Sequence, residues 1–226
     1  MNINSGLAIL SRTENQTLEP TQVAGFNQFF DDADGTESKC YGAAIDQKFS
    51  KAIFGGFEYS ERDLKVPLIR IGSTPGDVHW DEKVIRAYLN WAPHKWMALT
   101  AEYLYEEFDR DERVNEGALW VDTHYVPLGI NFFHPSGLSA FLKGTYIDQK
   151  GKFERIDNIG TFTHGQDDFW LLDAAISYRL PKRYGFITVG AANLLDEEFQ
   201  YFDTDRDNPR IQPGRYIFGT VTLAFP

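Results

Sequence analysis

The last fourteen residues of the chain alternate between two kinds of side chain. A period of two predicts a β-strand with one apolar face. One face carries Ile217, Gly219, Val221, Leu223 and Phe225, and the other carries Tyr216, Phe218, Thr220, Thr222 and Ala224. The terminal strand of a soluble β-sandwich and the closing strand of a β-barrel both have this pattern. The rest of the chain has to decide between them.

Ten strand candidates recur along the 226 residues, and their connections alternate between short and long. The strands are predicted at 3–12, 39–49, 52–62, 82–92, 96–107, 119–133, 138–148, 168–180, 184–193 and 214–225. Short turns are predicted near 50–51, 93–95, 134–137 and 181–183, with longer loops near 13–37, 62–80, 108–118, 149–167 and 194–213. Short turns at one rim and long loops at the other are typical of an up-and-down transmembrane barrel.

Side-chain parity divides these strands into an apolar face and a charged face. The apolar face carries, among others, Tyr41, Ala43, Ile45, Ile85, Ala87, Leu89, Trp91, Leu99, Ala101, Leu138, Ala140, Leu142, Leu172, Ala174 and Ile176. The charged face carries Asp46, Lys48, Glu58, Arg86, Asn90, Glu102, Lys143, Asp173 and Arg179. In a membrane barrel the charged face would line a lumen and shape a solute path. In a sandwich it would face solvent, so parity alone leaves both architectures open.

Aromatic residues gather near both ends of the predicted strands. Near the short turns lie Phe49, Trp91, Trp96, Phe132, Phe133, Tyr184 and Phe225, and toward the long loops lie Tyr59, Tyr105, Phe108, Tyr146, Phe169 and Trp170. Two such bands match the aromatic girdles of a bilayer-spanning barrel. We therefore predict an all-β, antiparallel up-and-down transmembrane barrel in the Gram-negative outer membrane. Its expected partners are outer-membrane lipid, lipopolysaccharide and the barrel assembly machinery.

Composition narrows the function further. The net charge of −11 argues against a nucleic-acid partner, because no basic face is available for phosphates. The single cysteine, Cys40, excludes an intramolecular disulfide, and the five scattered histidines predict no metal site. No apolar run approaches the roughly 18 residues of a membrane helix. We expect no cofactor.

The segment 190–199 carries the most specific motif of the chain. Asn193, Leu194, Asp196 and Phe199 stand in Gly-Ala-Ala-Asn-Leu-Leu-Asp-Glu-Glu-Phe. Downstream, Pro213, Gly214 and Arg215 open the final strand and Phe225 closes it. Over residues 183–226 the chain resembles the C-terminal end of TonB-dependent receptors. The resemblance implies a receptor-like barrel that takes up a small ligand, with these residues serving the family motif and barrel assembly.

The chain also departs from that family. Leu195 replaces a usual aromatic, Pro226 follows the terminal Phe225, and nothing resembles a plug or a TonB box. A plugged transporter of this type has 22 strands. We therefore expect residues 1–226 to be the C-terminal part of a larger barrel, with any TonB contact made through a plug outside it. A complete ten-stranded barrel is the alternative.

Two further functions are kept as alternatives. One is a barrel that anchors or displays an attached domain without transporting anything. The other is suggested by Asp109-Arg-Asp111 and Asp122-Thr-His124, which resemble the paired motifs of omptins, a family of outer-membrane proteases. Both pairs flank one predicted loop, whereas the protease pairs face each other across the barrel mouth. We therefore expect a chain that is not an enzyme.

Overall fold

The computed structural model describes residues 4–7, 11–14, 21–23, 26–28, 36–68, 76–111, 117–155, 158–201 and 214–224. Thirteen strands occur there: β1 Asn4–Leu7, β2 Ser11–Glu14, β3 Thr21–Val23, β4 Phe26–Gln28, β5 Glu37–Lys48, β6 Ile53–Leu68, β7 Gly76–His94, β8 Met97–Arg110, β9 Ala118–Phe133, β10 Leu138–Arg155, β11 Asn158–Arg179, β12 Gly185–Ala192 and β13 Tyr216–Leu223. A single 3-10 turn, Pro181–Arg183, joins β11 to β12.

Strands β5 to β13 form one antiparallel sheet in which each strand pairs with its neighbour in the chain. The prediction of an all-β, up-and-down antiparallel sheet is thus confirmed, with nine strands in the continuous run. The expected first strand at 3–12 is divided into β1 and β2, which both pair with β5. Strands β3 and β4 form a separate hairpin. Within the described part of the chain, no helix is both long enough and apolar enough to cross a membrane.

The four tight turns lie at one end of the sheet, and local chemistry closes them. In the β5–β6 turn the Ser50 hydroxyl accepts hydrogen bonds from the backbone N–H groups of Ala52 and Ile53, each at 3.1 Å. The β11–β12 turn has positive φ at Lys182 and Gly185, 55° and 135°. A Cβ at Gly185 would lie 1.7 Å from the Thr222 carbonyl oxygen, so only glycine fits there.

The strands extend further from these turns than the sequence predicts. The expected loop at 149–167 is wrong, because β10 continues to Arg155 and β11 already begins at Asn158. Backbone pairing runs from Leu138 opposite Tyr178 to Glu154 opposite Phe162. Polar side chains occupy both faces of this extension. A strand with polar side chains on both faces loses the apolar alternation by which strands are recognised in sequence.

Burial distinguishes the two faces of the sheet. The most buried large side chains, Leu64, Val78, Val121, Ile147 and Phe169, all lie on one face, which we call the inner face. They sit at the end of the sheet away from the tight turns. The opposite side is called the outer face. Burial is therefore concentrated on the inner face at that end, whereas most of the exposed large apolar side chains lie on the outer face.

Candidate functional site

An uninterrupted apolar belt runs across the outer face of the nine strands. Directly opposed residues share a face in an antiparallel pair, so the register assigns each side chain to one side. The belt residues on β6 to β11 lie within 53–59, 85–91, 99–105, 126–132, 138–146 and 170–178, where no outer-face residue is charged. Seven to nine residues span roughly 23–30 Å along a strand.

The belt ends abruptly at tyrosines whose hydroxyls point toward polar partners. Tyr105 donates a hydrogen bond to Glu107 Oε2 at 2.9 Å, and Tyr59 donates to Glu61. The Tyr103 hydroxyl lies 2.8 Å from His124 Nδ1. Each tyrosine thus has its ring in the belt and its hydroxyl against a polar side chain.

Beyond those tyrosines the outer face carries ion pairs. Lys83 pairs with Glu107 at 3.1 Å, Lys150 with Asp122 at 3.3 Å, and Lys65 with Asp77 at 2.8 Å. The change from apolar to charged occurs at the same height on neighbouring strands.

The eight charged residues predicted to line a path, Asp46, Lys48, Glu58, Arg86, Glu102, Lys143, Asp173 and Arg179, all fall on the inner face by register. Four of them form one cluster within the height of the belt. The Arg86 guanidinium pairs with Glu102 at 2.7 Å and with Glu58 at 3.8 Å. Asp46 accepts a hydrogen bond from the Tyr88 hydroxyl beside it.

Lys143 and Asp173 form a second cluster on β10 and β11, with 3.2 Å between the ammonium nitrogen and Asp173 Oδ2. The other carboxylate oxygen of Asp173 accepts the backbone N–H of Asn193 at 3.0 Å. Asp173 therefore joins the charged wall to the family-like motif, a connection that sequence spacing did not reveal. Lys48 and Arg179 lie apart from both clusters, exposed near the tight turns.

The motif forms a compact segment after β12, residues 193–201, which we call the strap. Asn193 is 3% exposed and adopts φ 46°. Its side-chain amide donates to the Glu197 carbonyl at 3.0 Å, and its side-chain oxygen accepts the Glu197 N–H at 2.9 Å. The Leu194 N–H donates to the Leu172 carbonyl at 2.7 Å, which ties the strap to β11.

The strap then covers the inner face of β10 and β11. The Phe199 ring stacks on Phe169 with 4.3 Å between centroids and 14° between planes. Tyr201 packs against the same cluster, which contains Ile147. The Gln200 N–H donates to Asp167 Oδ2 at 2.5 Å. Part of the inner face is therefore covered by the motif itself.

An ion pair joins the strap to the beginning of the last strand. The Asp196 carboxylate pairs with the Arg215 guanidinium at 3.1 Å and accepts the Arg215 backbone N–H at 3.2 Å. Gly214 and Arg215 form a bend directly before β13. The remaining two motif residues, Pro213 and Phe225, lie outside the described residues.

Three aromatic residues predicted for the girdles lie on the inner face by register, namely Phe133, which is exposed near a tight turn, Phe169 and Phe108. Phe169 is on the inner face and only 3% exposed, beneath the strap. Phe108 is also on the inner face, 6.0 Å from Trp80 in an edge-on contact. The prediction placed them by height along the strand, whereas their parity puts them on the inner face. Phe169 is the site residue that sequence reasoning assigned to the wrong environment.

The residues considered for a protease lie near the polar end of the sheet. Asp109, Asp122 and His124 are on the outer face, where Lys150 pairs with Asp122 and Tyr103 contacts His124. Partial desolvation, together with the negative charges of Glu107 and Asp122, raises the pKa of Asp109. The Asp111 N–H donates to the His79 carbonyl at 3.0 Å, which places it at the end of β8. Asp109, Asp122 and His124 therefore do not lie on the inner face.

No group of three or more His, Cys, Asp or Glu side chains suited to a metal ion occurs among the described residues. No family model, curated protein or solved structure matches the chain. The function of this chain is therefore inferred from the belt, the charged inner face and the strap.

Proposed function

We propose that β5–β13 form the wall of a transmembrane β-barrel in the Gram-negative outer membrane. The observation that carries this proposal is the apolar belt of the outer face. It crosses all nine strands, contains no charged side chain, and ends at tyrosines, of which Tyr59 and Tyr105 donate to carboxylates. Outer-membrane barrels have an apolar band about 25 Å tall between aromatic girdles. Lipid is the solvent that such a surface fits.

A soluble sandwich would need a second layer over the belt. Within the described part of the chain, no other sheet pairs or packs there. Leu89, Trp170 and Ile176 are 45%, 51% and 59% exposed. Soluble monomers rarely expose contiguous apolar patches larger than a few hundred Å². A lipid environment removes this conflict.

For the inner face we propose a receptor-like role in the passage of a small ligand. The two charge clusters would line the path of this ligand, together with Lys48 and Arg179 near the tight turns. The motif that resembles TonB-dependent receptors supports this role. Coupling to TonB would require a plug region, and no segment of residues 1–226 resembles one. In this proposal the barrel assembly machinery receives β13, and lipopolysaccharide meets the charged outer face beyond the tyrosines.

A barrel that only anchors or displays another domain is the second candidate. The specific observation in its favour is that the charged side chains of the two inner-face clusters are paired or hydrogen-bonded with one another or with a neighbouring tyrosine. Arg86 is shared by Glu58 and Glu102, Lys143 pairs with Asp173, and the strap covers the neighbouring surface. Such a wall is suited to a filled interior.

Reconstitution tests the proposal and separates the two candidates. The chain is refolded into phosphatidylcholine vesicles and assayed for protease protection and for migration on a gel with and without heating. Protection and a heat-dependent shift are expected, and a chain that remains fully digestible would contradict the membrane barrel. Liposome swelling in small sugars and amino acids then favours passage if it occurs, and anchoring if it does not.

A further inference from the structure

The four tight turns carry an unusual concentration of positive charge. Residues 47–53, 91–97, 132–138 and 179–185 contain six of the 22 lysines and arginines and none of the 33 acidic residues. They also contain His94 and His134. The remainder of the chain is correspondingly more acidic than the net charge of −11 indicates. The turn end of the sheet is thus a basic rim on an acidic protein.

Four lysines of this rim form no ion pair within the described part of the chain. They are Lys48, Lys51, Lys95 and Lys182, and all four are exposed. Lysines at the opposite end of the outer face behave differently. Lys65, Lys83 and Lys150 each pair with a carboxylate at 2.8–3.3 Å. The rim therefore presents charges that are available to an external anion.

Large aromatic side chains lie immediately beside these cations. Phe49, Trp91, Phe133 and Tyr184 are 64%, 44%, 49% and 47% exposed. The amphipathic rings of tryptophan and tyrosine, here Trp91 and Tyr184, typically sit at the level of lipid headgroups.

The Trp96 ring has one lysine and two histidines around it. The Lys95 ammonium lies 5.6 Å from the centroid of its ring, and its ring contacts His94 and His134. Apolar belt, aromatic rings and free cations follow one another along the strand axis. This is the order of hydrocarbon, interface and headgroup phosphate in a bilayer.

We propose that the basic rim binds the headgroup phosphates of anionic phospholipids, with phosphatidylglycerol as the representative chemistry. This inference rests on the proposed membrane-spanning function and specifies which leaflet the tight turns enter. Charge complementarity selects the occupant, since lysines near a membrane surface are attracted to anionic lipid. The acidic opposite rim has no such attraction, so the two ends of the barrel differ in lipid preference.

Quenching of tryptophan fluorescence by brominated lipid tests the inference. The full chain is reconstituted in bilayers containing either dibromo-phosphatidylglycerol or dibromo-phosphatidylcholine, and relative lipid binding is obtained from the quenching. The test variant is Lys51→Gln/Lys95→Gln/Lys182→Gln. The matched control is Lys65→Gln/Lys83→Gln/Lys150→Gln, which removes the same charge from the opposite rim.

The wild-type chain and the control variant should prefer phosphatidylglycerol by at least about fivefold at low salt. The rim variant should lose most of that preference, and 0.5 M salt should weaken it in the wild type. Equal quenching by both lipids, or an equal loss in the control variant, would overturn the rim inference while leaving membrane insertion intact. Failure to insert into either bilayer would overturn the rim inference and the proposed function together.

Discussion

Asn193 joins three polar groups at the point where β12 ends. Its backbone N–H reaches Asp173, and its side chain makes two hydrogen bonds to the backbone of Glu197. Asparagine also tolerates the left-handed backbone found there, φ 46°. A single residue therefore sets both the exit angle of the strap and its first turn.

Replacing Asn193 with alanine should destabilise the folded protein by about 1–3 kcal/mol, since each lost hydrogen bond contributes roughly 0.5–1.5 kcal/mol. Guanidinium unfolding in detergent micelles measures the change. Glu198→Ala, an exposed position in the same strap, is the control and should be nearly neutral. Equal unfolding midpoints for Asn193→Ala and the wild type would show that the strap is not held by this residue.

Asp63, Asp81 and Asp109 lie directly opposite one another on β6, β7 and β8, beyond the belt. Partial desolvation and the neighbouring carboxylates raise the pKa of Asp81. Because the folded pKa exceeds the unfolded value of about 3.9, the folded state binds protons more readily. The stability associated with this protonation is fully present below the unfolded pKa and is lost as pH rises through the folded pKa.

Asp81→Asn should therefore be more stable than the wild type at pH 7 and should show a flatter dependence of stability on pH from 4 to 7. Chemical unfolding at a series of pH values gives both quantities. Lys65, which pairs with Asp77 on the same strands, offers a control substitution, Lys65→Gln, that leaves the three aspartates in place. A mutant with the same pH slope as the wild type would remove Asp81 from this explanation.

At the scale of the strand, alternation assigns neighbouring residues of β7 to different solvents. Leu89 is 45% exposed on the outer face within the belt, and Asn90 lies on the inner face. Leu89→Arg should destabilise the membrane-inserted protein by roughly 2–4 kcal/mol, the cost of a basic residue on the lipid face. Asn90→Arg, one residue away, should cost much less.

The readout is the unfolding midpoint of each variant after refolding into vesicles, with folded and unfolded forms separated by gel migration. The ordering of the two substitutions matters more than either value. If Asn90→Arg proves as damaging as Leu89→Arg, the assignment of the outer face to lipid fails for this strand.

Strand ends near the tight turns could be predicted from sequence to within a few residues. Turn-forming residues such as Ser50 and Gly137 mark those ends, and the apolar alternation beside them is strong. The β10–β11 hairpin was missed beyond about residue 148 because neither of its faces is apolar there. The strap could not be placed either. Its packing on Phe169 is a tertiary contact between residues 30 positions apart, and no local pattern encodes it.

At the scale of the whole molecule, three layers of chemistry follow the strand axis. A basic rim at the tight turns is followed by the apolar belt and then by the ion-paired outer face beyond the tyrosines. The parity of the sequence was sufficient to predict the two faces of the sheet, because the register keeps every predicted lumen residue on the inner side. The strap determines which part of the inner face is covered. The position of the strap could be seen only in the structure.

The central claim is that the outer face meets lipid, and β11 offers the most direct test. Cys40 is replaced with alanine, and single cysteines at positions 170–178 are spin-labelled in phosphatidylcholine vesicles. Their accessibility to oxygen and to a water-soluble nickel chelate is then compared. We predict that accessibility to oxygen varies with a period of two residues. Positions 170, 172, 174, 176 and 178 should be accessible to oxygen, with a maximum near 174. Accessibility of those five positions to the nickel chelate, or uniform accessibility of all nine, would contradict it.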